Sequence, residues 1–232
     1  MTNFKEWLIE SERAIKRDFN RQSIIPYHGD LYHGTTLRGA LCIALNGFRT
    51  YDHRELCGQF FCTSINDNII RYFGNSGFVF EVKLNRLLEI NNFYYELLGH
   101  ETGMEGFWDK DEDDKENQKL IQKAHRFGLI SKFGKNPGID DQCSFLQKYI
   151  YTNPKLKDIQ GICLPGWNKQ YNSNHEAEIA ITEVGLQTLS RSVVNIVIEG
   201  EWYEPDEGWR ILHSRTDEVD DEQCYNVLSG EK

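Results

Sequence analysis

Residues 31–36 read LYHGTT, and residues 37–48 continue at once with LRGALCIALNGF. The first three letters predict a short strand, and Thr35 or Thr36 predicts the N-cap of the helix that follows. A histidine and a glycine therefore fall where a strand gives way to a helix. His33 at such a point fits a packed structural side chain, a metal ligand or one wall of a ligand cleft, so the choice depends on the rest of the chain.

The chain on either side of this stretch alternates short strands with helices. A second strand is predicted at residues 59–62, and a helix at 64–73 that Gly74 ends. A third strand with alternating apolar residues follows at 77–84. Further strands are predicted at 161–165, 176–184 and 192–204. This order favours an α+β fold with a mostly antiparallel sheet and flanking helices over a doubly wound parallel sheet.

The length of 232 residues favours one catalytic domain spanning residues 1–232. Apolar residues at helical spacing predict an amphipathic helix over 3–18. The like charges of DKDEDDKE begin a predicted acidic and helical insertion at about 99–155, and the acidic residues of about 216–232 predict a loose tail.

Composition limits the function classes. A net charge of −10 argues against a broad, non-specific grip on nucleic acid or anionic membrane. The six cysteines have no metal-ligand spacing, and the N-terminal residues lack the apolar core of a signal peptide. We therefore expect a soluble cytoplasmic protein with reduced thiols, no bound metal and no membrane partner.

Three dispersed segments remain as candidates for chemistry, since the sequence has no GxxxxGK[ST], GxGxxG, HExxH or GxSxG motif. They are LYHGTT, GQFFCTS at 58–64 and HEAEIAI at 175–181. In this order they resemble the NAD-dependent ADP-ribosyltransferases of the diphtheria toxin and poly(ADP-ribose) polymerase type. That group has a His-Gly-Ser/Thr strand end, a Gly-x-Tyr-Phe strand before a short helix, and a glutamate that opens a later strand. The resemblance covers roughly residues 30–84 and 160–200, and it implies the split sheet of that family.

The resemblance assigns roles to these residues, with NAD as the substrate. Glu178 would stabilise the positive charge that develops on the ribose as nicotinamide leaves, and Glu176, two residues earlier, would orient the acceptor. His33 would bond a ribose hydroxyl, while Gly34 would let the flat carboxamide approach bare backbone. The remaining residues expected to contact NAD are Tyr32, Thr35, Phe60, Phe61, Ser64 and Tyr72.

The sequence departs from the family pattern at Phe60, which stands where the family has tyrosine, so ring stacking is kept and the hydroxyl is lost. The pair Glu176 and Glu178, together with Thr63 and Ser64, also has the character of the sister group that uses an Arg-Ser-Glu set. Taken singly, each of the three segments fits a packed strand equally well.

The resemblance implies a mono-ADP-ribosyltransferase acting on a macromolecular acceptor, either a protein side chain or a nucleic acid base. Small transferases of this kind resemble bacterial or phage toxins and phage-defence enzymes, so an antitoxin or inhibitor protein is a possible partner. Two alternatives stay open. One is an RNA 2′-phosphotransferase-like enzyme, which shares a His-Gly-Thr segment, and the other is an inactive module that binds NAD or ADP-ribose.

Overall fold

The computed structural model describes residues 24–53, 58–89, 150, 154, 156–164, 178–220 and 224. It has an α+β fold with a sheet-dominated core, as the sequence predicts. The elements in chain order are β1 Ile24–Thr35, α1 Leu37–Asn46, β2 Tyr51–His53, β3 Gly58–Ser64, α2 Asn68–Tyr72, β4 Ser76–Glu89, β5 Gly161–Cys163, β6 Glu178–Ile181, α3 Glu183–Leu189, β7 Val193–Ile198, β8 Glu201–Tyr203, α4 Pro205–His213 and a 3₁₀ turn at Thr216–Glu218.

The eight strands of these ranges form one sheet in the order β1-β3-β6-β5-β4-β7-β8, with β2 attached to β3. β1 also pairs with β4, so the pairings β1-β3-β6-β5-β4-β1 close on themselves. Among the described residues, six pairs of strands run antiparallel and β4 runs parallel to β5, so the sheet is mostly antiparallel, as predicted.

β1 is much longer than the three-residue strand that the sequence predicts. It pairs with β4 from Ile24 opposite Leu88 to Thr35 opposite Ser76. The register shifts between Ile25 and Tyr27, so Pro26 falls in an irregularity where its missing N–H costs no ladder bond. The strand is thus continuous through Pro26, because β1 pairs with β4 on both sides of this residue.

The two faces of the sheet are covered by different helices. On one face α1 and α4 bury a large apolar cluster against β1, β3 and β4. Phe48, just after α1, is the aromatic centre of this face: its ring lies 5.0 Å from that of Phe78 and 5.6 Å from that of Phe61. On the other face α2 packs Ile69 and Ile70 against Val79 and Val197. Each face of the sheet near the LYHGTT motif is therefore held by a helix.

Several predicted boundaries are wrong in detail. The segment 192–204 is a hairpin, β7 and β8, which turns at Glu199–Gly200 with both residues at positive φ. The second helix is shorter than predicted and spans Asn68–Tyr72. The strand expected at 176–184 yields to α3 from Glu183, because Thr182 caps that helix by accepting a bond from the Gly185 N–H. α4 was not predicted.

Cys42 of α1 forms a disulfide with Cys224, across a sequence separation of 182 residues. Both cysteines are buried, so the expectation of reduced thiols is wrong for this pair. A stable disulfide is uncommon in cytosolic proteins. It also anchors part of the segment predicted to be a loose tail, where Val219 is 9% exposed and Cys224 is 1% exposed.

The chain divides into two compact units. One comprises Ile24–Asp52, Gln59–Glu89 and Asp158–Lys232 and contains most of the sheet, while the other consists mainly of residues outside the described ranges. The predicted helix at 3–18 and nearly all of the predicted insertion at 99–155 lie outside those ranges as well. None of the described helices is long and apolar enough to cross a membrane.

Candidate active site

The LYHGTT strand pairs with β3 at the motif itself. Among the described residues, the register of β1 with β3 is the single pair Tyr32 and Ser64. β1 also runs beside β4, with Gly34 opposite Gly77, while β3 runs beside β6. The first motif is thus joined to the second at Tyr32 and Ser64.

The side chain of His33 contacts β3 through two of its residues. Its Nδ1 lies 2.8 Å from the Cys62 carbonyl oxygen of β3, and its ring stacks on Phe61 at 4.2 Å. A carbonyl oxygen can only accept, so Nδ1 carries the proton and Nε2 is the acceptor nitrogen of the neutral ring. His33 is 8% exposed, and these two contacts fix its orientation. Phe61 therefore supports His33, and its contact with NAD stays a prediction.

Gly34 is required by the packing of α2. A Cβ at this position would overlap the backbone carbonyl oxygen of Ile69. Gly77, directly opposite on β4, has the same constraint from the carbonyl oxygen of His33. On the side where a Cβ would lie, Gly34 is thus packed against α2, and its approach to a carboxamide stays a prediction.

The two threonines of the motif begin α1. Thr36 is the N-cap, since its Oγ1 accepts a bond from the Gly39 N–H at 3.1 Å. The hydroxyl of Thr35 lies where a Cβ on Gly39 would be, against the first turn of the helix. Thr36 is therefore the cap of the two that the sequence allowed, and the Thr35 hydroxyl is turned toward the helix.

Glu178 is the first residue of β6 and lies opposite Ser64 of β3. Because Ser64 is itself opposite Tyr32, the three residues form a row across β1, β3 and β6. Directly paired residues point to the same face of a sheet, and two strand spacings separate the ends of the row by about 10 Å. The Glu178 side chain is half-buried at the start of its strand. Glu176 lies outside the described residues.

β3 and β6 are firmly joined beside this row. The buried Thr63 hydroxyl donates to the Ile179 carbonyl oxygen at 2.8 Å. Ser64 is fully buried, and its Oγ accepts a bond from the Asn66 N–H at 3.0 Å, which shapes the turn before α2. The Ser64 hydroxyl thus has a structural role in the turn, and the strand that carries Glu178 is held by side-chain as well as backbone bonds.

The aromatic residues predicted to sandwich a nicotinamide ring differ in exposure. Phe60 is 1% exposed, so a ligand could stack on it only after displacing the side chains that cover it. Tyr72, at the end of α2, is 58% exposed and packs edge-on against Phe73 at 5.1 Å. The stacking role therefore stays a prediction for both rings, with Tyr72 the accessible one.

Tyr32 is the residue of the row that β1 contributes, and its surroundings are acidic. Partial burial, then the carboxylates of Asp30 and Asp67, raise the pKa of its phenol. Its hydroxyl therefore stays protonated at neutral pH and can donate a hydrogen bond. The Tyr32 hydroxyl is thus a neutral hydrogen-bond donor on the same face of the sheet as Glu178.

Tyr51 of β2 is near the site and was not identified from the sequence. Burial, then Cys62 and Glu178, raise the pKa of its phenol, so these two residues of the site are among its electrostatic neighbours. Its ring packs against the main core. The sequence offered little signal, because Tyr51 stands alone in the polar stretch RTYDHRELCG.

The arrangement combines an oriented imidazole, a backbone edge and a carboxylate at the start of a neighbouring strand. Such a set can bind a hydroxylated ligand and stabilise a developing positive charge. The described part of the chain holds no group of three or more side chains suited to a metal ion. No family model, curated protein or solved structure matches this chain.

Proposed function

We propose that this protein is an NAD-dependent ADP-ribosyltransferase, with the split of its sheet at His33–Thr35 as the nicotinamide-ribose end of the NAD cleft. The observation that carries the proposal is the row Tyr32, Ser64 and Glu178 beside that split. In this row the first residue of the third motif's strand is joined to the first motif through the strand of the second. The pairing supports one site for three motifs that are far apart in sequence.

The chemistry of NAD cleavage suits this arrangement. Breaking the bond between nicotinamide and ribose places positive charge on the ribose as the neutral nicotinamide leaves. A carboxylate fixed at that point lowers the barrier because its attraction is greater in the transition state than in the ground state. Glu178 would provide the carboxylate, and an acceptor nucleophile would then form the new bond to the ribose carbon.

His33 and Gly34 would hold the ribose and the nicotinamide. The His33 imidazole, held by its bond to the Cys62 carbonyl oxygen, would bond a ribose hydroxyl. The edge of Gly34 offers a backbone donor and acceptor to a carboxamide.

The transferase activity is tested with biotin-labelled NAD, a cell lysate and purified protein. We expect label to appear in a macromolecular fraction with the native chain and to fall about 100-fold or more with Glu178→Gln. Glu201→Gln, an exposed change on β8, is the matched control and should label like the native chain. The fraction that carries label, protein or nucleic acid, identifies the acceptor class.

A non-catalytic module that binds NAD or ADP-ribose is the second candidate. It is favoured by Phe60, which has no hydroxyl and is 1% exposed. For such a module calorimetry would detect NAD binding that Glu178→Gln leaves unchanged, without release of nicotinamide or transfer of label by the native protein.

A further inference from the structure

Two exposed aromatic side chains lie beside the contact between the end of α2 and the turn from β7 to β8. Phe73 follows the last residue of α2 and is 46% exposed, and Trp202 of β8 is 53% exposed. The Gly200 N–H donates to the Asn75 carbonyl oxygen at 2.7 Å. Phe73 stands two residues before Asn75, and Trp202 stands two residues after Gly200. The fold thus brings two rings that are far apart in sequence close to one backbone bond.

Trp202 lies on the face of the sheet that α2 covers. It pairs directly with Val197 of β7, and directly paired residues point to the same face of a sheet. Val197 is buried in one cluster with Ile69 and Ile70 of α2. Phe73 and Trp202 therefore form one exposed aromatic surface beside α2.

The charge around this aromatic surface is negative. Residues 192–209 contain five acidic residues and no lysine or arginine. Two of the five form ion pairs, which are Glu199 with Arg215 and Glu207 with Arg210. The other three are exposed and have no ion pair among the described residues: Glu201, Glu204 and Asp206. Arg71, two residues before Phe73, is an exposed cation, so the balance of unpaired charge stays negative.

Exposed aromatic rings beside negative charge suit a cationic ligand. An arginine guanidinium stacks on aromatic faces, best on that of tryptophan, and carboxylates attract it. The same carboxylates would repel the phosphates of a nucleic acid. We propose that Phe73 and Trp202 form a docking surface for an arginine-bearing segment of a partner protein. This binding goes beyond NAD cleavage and does not depend on it.

The test uses a fluorescein-labelled peptide of Arg-Gly repeats, titrated with the full chain at low salt and followed by fluorescence anisotropy. The control peptide has neutral citrulline in place of arginine. We expect the arginine peptide to bind more tightly, because both the carboxylates and the rings attract its charge. Trp202→Ala and Phe73→Ala should each weaken this binding about two- to fivefold. Trp202→Phe keeps an aromatic ring and should weaken it less.

The matched control variant is Leu45→Ala, which removes an apolar side chain that is 45% exposed on α1. It should bind the arginine peptide like the native chain. Equal thermal midpoints for the native chain, Phe73→Ala and Trp202→Phe establish that these variants are folded.

Three results would overturn the proposal. Native affinity in both Trp202→Ala and Phe73→Ala would show that the peptide responds to net charge alone. Binding of a single-stranded oligonucleotide that depends on the two rings would assign the surface to nucleic acid. A native dimer in sedimentation that Trp202→Ala dissociates would assign it to a second copy of this chain. Each of these results leaves the proposed NAD cleavage intact, since the binding assays contain no NAD.

Discussion

His33 shows how one residue joins the strand framework to the site. Its Nδ1 bonds the Cys62 carbonyl oxygen, and its ring stacks on Phe61. Because a backbone carbonyl can only accept, this bond fixes the tautomer of the ring. The same bond thus links β1 to β3 and orients the imidazole.

Cys163 of β5 gives a pH-dependent prediction. Burial, then Glu89, raise the pKa of its thiol to about 12 from the ordinary value of 9.0. The folded state therefore holds this proton more tightly than the unfolded state. The contribution of this thiol to the free energy of unfolding is complete below about pH 9. It is lost as the pH rises toward 12, by about 1.4 kcal/mol per pH unit. In urea unfolding, the free energy of unfolding of Cys163→Ala should fall less between pH 9 and pH 10 than that of the native chain.

The change in the free energy of unfolding with pH is taken within each protein and then compared between the two. The other titrating groups are the same in both proteins and contribute equally. Parallel stability curves for the native chain and Cys163→Ala over that interval would contradict the burial argument. The loss of side-chain packing lowers the free energy of unfolding equally at every pH, whereas the loss of the thiol changes its slope, so the slope is the quantity to compare.

At the scale of elements, the packing of α2 on β1 explains the glycine of the motif. Gly34→Ala would place a Cβ against the Ile69 carbonyl oxygen, and neither strand nor helix backbone can yield easily. We expect a loss of about 1–3 kcal/mol in the free energy of unfolding. Gly47→Ala is the comparison, since Gly47 has φ +76 and open space around it, so only backbone strain of about 1 kcal/mol applies. In chemical denaturation, Gly34→Ala should lower the free energy of unfolding more than Gly47→Ala does. The reverse order would show that α2 moves to accommodate the added Cβ.

The disulfide between α1 and the C-terminal segment gives a second prediction at this scale. Closing a loop across 182 residues restricts the unfolded chain, and removing such a bond typically costs about 2–5 kcal/mol. Native protein should therefore unfold at lower temperature when a reductant is added. The double variant Cys42→Ala, Cys224→Ala should unfold at that lower temperature with or without reductant. A midpoint insensitive to reductant in the native chain would contradict the role of this bond.

Much of the fold near the motifs could be predicted from sequence because local signals decide it there. Thr36 caps α1 through its own side chain, and Gly47 ends it with a positive φ that glycine adopts freely. The rest of the fold depends on contacts between residues that are far apart in sequence. β1 extends across Pro26 because β4 lies beside it, and the bond between Cys42 and Cys224 leaves no trace in their spacing.

The site was predictable in part for the same reason. His33, Gly34 and Glu178 stand in recognisable segments, and pairing through Ser64 brings those segments together. Tyr51 could not be found this way, since it comes near the candidate site only through the pairing of β2 with β3. The burial of Phe60 likewise depends on packing from beyond its own strand.

For the whole molecule, the function that we propose is NAD cleavage that depends on Glu178. The most direct measurement is nicotinamide release from NAD by purified protein, followed by chromatography for the native chain, Glu178→Gln and the control Glu201→Gln. We predict release by the native chain and the control, and release about 100-fold slower with Glu178→Gln. Equal release by Glu178→Gln, or no release by the native chain, would contradict the claim.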